Sequence, residues 1–336
     1  MRPPGAATTD AAVFVEAPAR LHFGVLDLRG ALGRRFGGIG AAAPGPSLLL
    51  SATIAPTVSA DGPDAARAVE YARRFLAHQG VDGGVHVHVR RTLPAHVGLG
   101  SGTQFALATA HAIADLYGLP SDAPSLARAV GRARRSAVGT WIFDAGGLVL
   151  EGGRRPGSDD VAPLLARLPF PPSWRCVVAV PDAAPGVSGA AEAAAFATLP
   201  IPPERDAERV AHLVLMALLP AVVEADLATF GAALGEVQAI TGRWFAPAQG
   251  GVYAAGAAAS LVQRMRAWGA VGVGQSSWGP TVYGLVADDD EAAALATDMR
   301  DAIGAAGAVY AGPFGSGGAR VWASAAAGDP PRGSER

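Results

Sequence analysis

The chain has 336 residues, 50% hydrophobic and 17% charged, so it is long enough for two domains and apolar enough for a substantial core. Its formal net charge of −2 gives no general attraction to nucleic acid or to an anionic membrane, and we expect neither as a partner. All 27 basic residues are arginine, which excludes chemistry that needs a lysine and leaves arginine, backbone amides or a metal ion to hold anions.

The compartment and the chain ends follow from the same composition. The single cysteine, Cys176, excludes a disulfide framework and lies in an apolar stretch typical of a buried strand. No apolar signal segment precedes residue 11, and charged residues or prolines interrupt the long apolar stretches, so we expect a cytoplasmic protein. Residues 1–11 and 327–336 are small, polar and rich in Pro or Gly, and we expect both to be disordered tails.

The first candidate site residues lie on an early strand. From residue 20 to residue 25, polar or small residues alternate with apolar ones, which is the period of a β-strand. This pattern places Arg20 and His22 on one face, and Asp27 follows shortly afterwards. We treat these three as candidate catalytic residues, although a lone histidine in such a place is more often structural. The diglycine Gly37-Gly38 comes next and is a candidate substrate contact.

A glycine-rich loop follows the strand predicted at residues 85–90 and precedes an apolar helix predicted at 105–117. Alternating glycines let successive backbone amides turn toward one point, and a helix N-terminus adds its positive dipole end, so the loop is expected to bind phosphate. A tight turn before a core helix is the simpler alternative. The candidate phosphate-binding residues are Gly98, Leu99, Gly100, Ser101, Gly102, Thr103 and Gln104, of which Ser101 and Thr103 offer hydroxyls to phosphate or magnesium.

The middle of the chain predicts two further helices and one candidate acid. Residues 64–79 form an amphipathic helix, with an apolar face of Ala68, Tyr71, Ala72, Phe75 and Leu76. A second helix is predicted from Ser121 or Asp122 to about Arg135, and its arginines are expected to be surface charge. Asp144 precedes a second diglycine and is a candidate catalytic acid and metal ligand. A domain boundary is expected near residues 155–172.

The second half predicts helices around a further glycine-rich turn. Residues 206–241 are helical, with a break or kink at Pro220. Trp244 and Phe245 are candidates for the wall of a pocket for a flat ring, or for core residues. Residues 274–279, Gly-Gln-Ser-Ser-Trp-Gly, join two strands and contain the candidate substrate contacts Gln275, Ser276, Ser277, Trp278 and Gly279.

Three of these motifs carry a family resemblance. The loop at 98–104 resembles the second motif of the GHMP kinase superfamily, Pro-x-x-x-Gly-Leu-Gly-Ser-Ser. Residues 20–28 and 274–284 resemble the β-ribofuranosylaminobenzene 5′-phosphate synthase family, a non-kinase branch of that superfamily. The resemblance implies an α+β fold in two parts. A half like domain 2 of ribosomal protein S5 covers residues 12–165 and carries the phosphate loop, and a ferredoxin-like half covers 172–326, with the site between them.

The resemblance also implies an activity. Members of the synthase family transfer phosphoribose from 5-phosphoribosyl pyrophosphate to 4-aminobenzoate, or to 4-hydroxybenzoate, with loss of CO2 and pyrophosphate, on the way to tetrahydromethanopterin. It implies Mg2+, bound here by Ser101 and Asp144, and a homodimer. At the position where the kinases of the superfamily carry a catalytic aspartate as base, this chain has Thr140, which argues against a kinase. An ATP-dependent small-molecule kinase and a non-catalytic ligand-binding protein remain as alternatives.

The chain departs from the family pattern at three positions. Asp144 replaces a glutamate, Glu151 replaces an aspartate, and Arg154 stands where a histidine is common. The first two changes keep the charge and alter the reach of the side chain.

Overall fold

A computed structural model of the chain describes residues 11–187 and 189–325. The predicted tails lie outside this range with one exception. Ala11, assigned above to the N-terminal tail, is the first residue of a strand and pairs with Ala325.

The strands of the described residues form two antiparallel-rich sheets, and helices cover both. The strands are β1 (Ala11–Asp27), β2 (Phe36–Ala55), β3 (Ser59–Asp61), β4 (Gly84–Arg91), β5 (Leu148–Glu151), β6 (Leu164–Leu168), β7 (Arg175–Val180), β8 (Val271–Gln275), β9 (Val282–Val286), β10 (Ala308–Gly312) and β11 (Arg320–Ala325). The helices are α1 (Ala65–Gln79), α2 (Ser101–Tyr117), α3 (Ala123–Ala129), α4 (Val138–Ala145), α5 (Gly189–Thr198), α6 (Glu204–Leu213), α7 (Leu219–Glu224), α8 (Leu227–Gln249), α9 (Ala257–Trp268) and α10 (Asp289–Ile303).

The sheet order confirms an α+β fold. The first sheet has seven strands in the order β11-β1-β2-β4-β3, with β5 paired to β2 and β6 to β5. The second has four strands in the order β10-β7-β9-β8. The predicted boundary region, residues 155–172, contains β6, which belongs to the first sheet, and ends before β7, which belongs to the second. The end of the predicted 172–326 half needs a correction, since β11 hydrogen bonds along β1 and completes the first sheet.

Helix α2 is the central helix of the first half. Most of its residues are buried, because an alanine-rich apolar sequence lets it pack closely against β1 and β2. It starts four residues earlier than the sequence predicts. Gly100 takes a left-handed conformation with φ 76°, and its carbonyl accepts hydrogen bonds from the amides of Thr103 and Gln104. Residues 101–104 are therefore the first helical turn and not part of the loop.

Three other helices show how far the local patterns reach. The buried face of α1 is the one predicted from its apolar spacing. The helix predicted to reach Arg135 ends at Ala129, because Gly131 (φ 67°) turns the chain and the Arg132 amide closes on the Ala127 carbonyl. Pro220 does not end the helix, because α6 continues into α7 through a π-helical turn at Val214–Leu218; this irregular turn lies directly before the proline, and the helix ends at left-handed Ala225.

Aromatic residues join the two halves in one core. Phe23 of β1 lies 4.9 Å from Tyr283 of β9 and 6.5 Å from Phe314, measured between ring centroids. Phe314 stacks on Phe170 at 3.8 Å. Within residues 11–187 and 189–325, no helix is both long and apolar enough to span a bilayer.

We expect Phe23→Ala to lower the free energy of unfolding by about 3–5 kcal/mol, because it empties a fully buried position between the sheets. Denaturant unfolding of the whole chain measures this loss. Leu32→Ala is the control, since Leu32 is 94% exposed. Equal losses for the two variants would show that Phe23 does not join the halves.

Candidate active site

A cleft of about 270 Å³ lies between the two halves. Its walls come from β1, the start of β2, residues 131–136, α5, α8 and the turn after β8. Seven of the predicted site residues line it: Arg20, His22, Gly37, Thr103, Gln275, Ser277 and Trp278.

Arg20 fixes the glycine-rich loop. Its backbone amide donates to the Leu99 carbonyl at 3.0 Å, and its Nη1 donates to the Gly98 carbonyl at 2.6 Å. A Cβ on Gly100 would lie 2.7 Å from the Arg20 Cγ, so this close approach requires glycine. Burial lowers the pKa of Arg20 to about 10, against an opposing effect of Glu192, so the guanidinium stays charged at neutral pH.

Ser276 joins the third motif to the first two. Its hydroxyl donates to the same Gly98 carbonyl at 2.6 Å and accepts from the His22 amide at 3.0 Å. Gly98 has φ 91°, and a Cβ there would lie 2.3 Å from the Ser276 carbonyl oxygen. The three motifs identified separately in the sequence therefore meet at one carbonyl group.

His22 is a neutral imidazole in this site. Burial, and after it the charge of Arg20, lowers its pKa to about 3. Its Nε2 lies 3.2 Å from the hydroxyl of Ser136, which also lines the cleft. Neither Ser136 nor the residue behind it, Glu151, was among the predicted site residues.

The segment that follows α3 supplies the arginines of the cleft. Arg132, Arg134 and Arg135 line it, although the sequence analysis assigned them to surface charge. Arg132 Nη2 would lie 3.3 Å from a Cβ on Gly102, and Nη2 donates to the hydroxyl of Tyr71. Its buried Nε has no partner in the described part of the chain. The four arginines in residues 128–135 were the available signal in the sequence. Their place in the cleft could be inferred only by knowing that α3 ends at Ala129.

The N-terminus of α2 presents unused donors beside Arg132. The backbone amides of Ser101 and Gly102 have no acceptor within the described ranges, as expected for the first turn of a helix. Thr103 lines the cleft from the same turn. Where Thr103 brings this turn to the cleft, the helix dipole and the Arg132 guanidinium favour a phosphate group.

Aromatic side chains wall another part of the cleft. Phe245 lies 4.8 Å from Trp278 and 5.8 Å from Phe196, and Phe196 lies 5.5 Å from Phe36, all between ring centroids. Trp244 instead belongs to the core, where its Nε1 donates to Asp206. Of the two aromatic residues singled out in the sequence, Phe245 is therefore the one that lines the cleft.

Glu192 is the one acidic residue among the described residues that line the cleft. Its Oε1 accepts from Trp278 Nε1 at 3.1 Å, and its Oε2 accepts from Arg135 Nη2. These two bonds attach α5, none of whose described side chains is fully buried, to the wall of the cleft.

Two predicted acids are not in the cleft. The Asp27 carboxylate accepts from the amides of Arg29 and Gly30 and caps the turn after β1. Asp144 lies at the far end of α4 and pairs with Arg167 at 2.8 Å. We correct both assignments, because each carboxylate is already engaged in local structure and neither lines the cleft.

The other predicted residues support the cleft from behind its surface. Gln104 donates to the Gly139 carbonyl at 2.8 Å and joins α2 to α4. Gln275, although it lines the cleft, has its side chain bonded to Gln249, Ala254 and Ser277. Besides Asp27 and Asp144, the predicted residues that do not line the cleft are Gly38, Gly98, Leu99, Gly100, Ser101, Gly102, Gln104, Ser276 and Gly279.

The described residues do not form a carboxylate site for Mg2+. No group of three or more His, Cys, Asp or Glu side chains within them is arranged to hold a metal ion. The predicted pair of Ser101 and Asp144 does not fit either, since Asp144 forms an ion pair with Arg167 outside the cleft.

Comparison with known proteins agrees with this architecture. Residues 65–163 match the family model for the GHMP kinases N terminal domain, and residues 218–306 match that for the GHMP kinases C terminal. Among solved structures, homoserine kinase from Cytophaga hutchinsonii superposes with a TM-score of 0.70 at 19% identity, covering 96% of this chain and 100% of that one. At this identity the likeness concerns the fold alone.

Curated relatives narrow the family further. The chain is 34% identical, over 81% of its length and 88% of the relative's, to beta-ribofuranosylphenol 5'-phosphate synthase of Methanothermobacter thermautotrophicus. It is 35% identical, over 85% of its length and 91% of the relative's, to the protein of the same name from Archaeoglobus fulgidus. The chain therefore belongs to the beta-ribofuranosylphenol 5'-phosphate synthase family, within the GHMP kinase superfamily.

Proposed function

We propose that the protein transfers phosphoribose from 5-phosphoribosyl pyrophosphate to a para-substituted benzoate, 4-hydroxybenzoate or 4-aminobenzoate, and releases CO2 and pyrophosphate. The observation that carries this proposal is one cleft with two kinds of lining. Arg132 and Thr103 line it beside the first turn of α2, Phe245 and Trp278 form an aromatic wall, and Arg135 lies over the ring of Phe196. The names of the relatives contain phenol, so 4-hydroxybenzoate is the first ring substrate to test.

The arginine side chains that line the cleft suit a polyphosphate donor. Four arginines line the cleft, namely Arg20, Arg132, Arg134 and Arg135, against one acid, Glu192. Loss of pyrophosphate leaves a ribosyl centre with cationic character, and fixed donors to the leaving group lower the barrier to that loss. We propose that Mg2+ enters bound to the pyrophosphate of the substrate, which needs no carboxylate cluster of the protein.

The aromatic wall of the cleft suits a flat ring. The faces and edges of Phe245, Phe196 and Trp278 offer apolar contacts for a benzoate. The ring attacks the ribose through the carbon that bears its carboxylate, para to the electron-donating group. CO2 then leaves from that carbon in place of a proton, so no base is needed there.

A place in tetrahydromethanopterin biosynthesis and a homodimer are further parts of the proposal that rest on the family resemblance. A cytoplasmic location is a part that rests on the composition of the sequence. Thr140, at the position where the kinases carry their base, is a buried threonine whose hydroxyl has no partner in the described part of the chain. A threonine there does not favour phosphoryl transfer from ATP.

The decisive experiment incubates the purified protein with Mg2+, 5-phosphoribosyl pyrophosphate and carboxyl-labelled 4-hydroxybenzoate or 4-aminobenzoate. We expect labelled CO2 only when both substrates are present. ATP consumption with a small alcohol, and no CO2, would return the chain to the kinases. Ligand binding without either reaction would identify a non-catalytic binding protein.

We expect Arg132→Ala to raise the KM for 5-phosphoribosyl pyrophosphate by roughly tenfold or more, because a charged hydrogen bond contributes about 1.5 kcal/mol or more. The KM for the benzoate should change little, because Arg132 lies beside the first turn of α2. Steady-state kinetics with each substrate varied in turn measures both constants. The matched control is Arg128→Ala, an exposed arginine of α3 outside the cleft. The same effect from both variants would contradict a specific role.

Phe245→Ala should produce the opposite pattern. We expect a rise of roughly tenfold in the KM for the benzoate, because the ring loses about 1 kcal/mol or more of aromatic contact and burial. Phe245→Tyr keeps the ring and serves as the control. An increase confined to the KM for 5-phosphoribosyl pyrophosphate would reverse the proposed assignment of the two kinds of lining.

A further inference from the structure

A buried carboxyl group lies directly behind the cleft and has no role in the reaction steps proposed above. Glu151, at the end of β5, has no exposed surface. Its Oε1 accepts from the Ala137 amide at 3.2 Å and its Oε2 from the Gly153 amide at 2.7 Å. The side chain of Ser136, the neighbour of Ala137, also lowers the pKa of this carboxyl group. No described basic side chain forms an ion pair with it, so the buried charge is held by neutral donors alone.

Ser136 connects this carboxyl to the cleft. If its hydroxyl donates to Glu151, its oxygen accepts from His22 Nε2, which lies 3.2 Å away. This arrangement protonates Nε2 and leaves a lone pair on Nδ1, which has no hydrogen-bond partner within the described ranges. His22 lines the cleft, so the sequence from cleft to buried acid is His22, Ser136, Glu151.

Gly38 makes the close approach of these groups feasible. A Cβ at Gly38 would lie 3.2 Å from His22 Nε2 and 3.2 Å from Glu151 Oε1. It would also lie 2.9 Å from Val138 Cγ2. The predicted diglycine turn thus leaves room for the contact between the histidine, the serine and the glutamate.

We propose that His22, Ser136 and Glu151 form a proton relay that accepts the proton of the para hydroxyl group when the ring substrate is a phenol. His22 contacts the substrate, and Ser136 and Glu151 are positioning residues that act through it. The inference rests on the proposed function and names the ring chemistry that this site favours.

The relay balances without an outside acid or base. As the ring carbon forms its bond to the ribosyl carbon, the bond from that carbon to pyrophosphate breaks. The phenolic O–H bond breaks in the same stage, and its electron pair forms a carbonyl. The proton adds to His22 Nδ1, the Nε2 proton passes to Ser136, and the Ser136 proton passes to Glu151. When CO2 leaves, the ring becomes a phenolate and takes its proton back along the same path.

The electrostatics explain why the glutamate is needed. Arg20 lies next to His22 and disfavours an imidazolium, so the histidine cannot keep the proton by itself. Burial raises the pKa of Glu151 to about 7, against the lowering effects of the Gly153 and Ala137 amides and of Ser136, so this carboxyl accepts a proton near neutral pH. One further charged group acts on this pair, since Glu192 of α5 raises the pKa of Arg20.

An aniline does not need this relay. The amine of 4-aminobenzoate supplies its electron pair without losing a proton, and loss of CO2 restores the neutral amine. A phenol must lose its proton as the carbonyl forms. The two ring substrates therefore separate the relay from every other part of the reaction.

The test compares Glu151→Gln with the unmodified protein on both rings. We expect kcat with 4-hydroxybenzoate to fall by roughly 100-fold, as is typical when a general base is removed, and kcat with 4-aminobenzoate to change by less than about threefold. KM values should stay close to those of the unmodified protein. An equal loss on both rings, or no loss on either, would overturn the relay.

Ser136 provides a second variant, because the glutamine amide of Glu151→Gln faces backbone donors and that variant can misfold. Ser136→Ala should reproduce the selective loss, and Ser136→Thr, which keeps the hydroxyl, should restore most of it. Thr140→Val is the control, since it removes a buried hydroxyl of α4 that has no partner among the described residues. A loss with Ser136→Thr as large as with Ser136→Ala would mean that packing and not the hydroxyl matters.

The outcomes also distinguish this inference from the proposed function. If the unmodified protein releases CO2 from neither ring, the proposed function fails. If it accepts only 4-aminobenzoate, the function stands and the relay is overturned. If it accepts only 4-hydroxybenzoate, kcat should rise with pH through about 7 as Glu151 ionises, and Glu151→Gln should abolish that rise. A rise that persists in the variant would overturn the relay.

Discussion

The Gly98 carbonyl group is the contact on which the cleft depends. It accepts one hydrogen bond from the Arg20 guanidinium and another from the Ser276 hydroxyl. Through these two donors, β1 of the first sheet and the turn after β8 of the second are both attached to the loop before α2. A side chain at Gly98 would collide with Ser276, so the geometry excludes any other residue there. Two of the segments that line the cleft are therefore held by one backbone group.

Burial of charge around this carbonyl shapes the chemistry of the cleft. Arg20 is held by backbone carbonyls and faces Glu192 across the cleft, so part of its positive field is left for a ligand. Burial, and after it this field, lowers the pKa of His22 and keeps its imidazole neutral. Neutral imidazole, free amides and clustered guanidinium groups form a surface that attracts phosphate and that still offers a lone pair to a proton.

The sequence predicts the elements and the motifs well, because their signals are local. The period of two in residues 20–25 and the apolar face of α1 depend on neighbours a few positions apart. The first predicts the strand that is found, β1, although residues 21–25 are buried on both faces, and the second matches the structure. The loop before α2 and the turn at 274–279 are recognisable from their glycines. Their contact through Gly98 is a tertiary feature, which spacing alone does not give.

The errors in the predicted site have tertiary causes. In the sequence Asp144 has no evident partner. In the structure it pairs with Arg167 of β6, which lies 23 residues later in the chain. Arg132 and Arg135 look like one face of a solvated helix until α3 ends at Ala129 and the chain turns into the cleft. Glu151 differed from the family pattern only in length, and its burial behind Ser136 depends on the pairing of β5 with β2.

The burial of His22 and Glu151 also sets how stability responds to acid. In the unfolded chain the imidazole has an ordinary pKa of 6.5 and the carboxyl one of 4.5; in the folded chain they are about 3 and about 7. Between pH 4.5 and 6.5 each state holds one proton on this pair, on the histidine when unfolded and on the glutamate when folded, so the pair adds no pH dependence to stability. Below 4.5 the unfolded chain binds a second proton that the folded chain refuses until about pH 3, and stability falls there. Folding thus moves a proton from an imidazole to a carboxyl group while the net charge of the pair stays at zero.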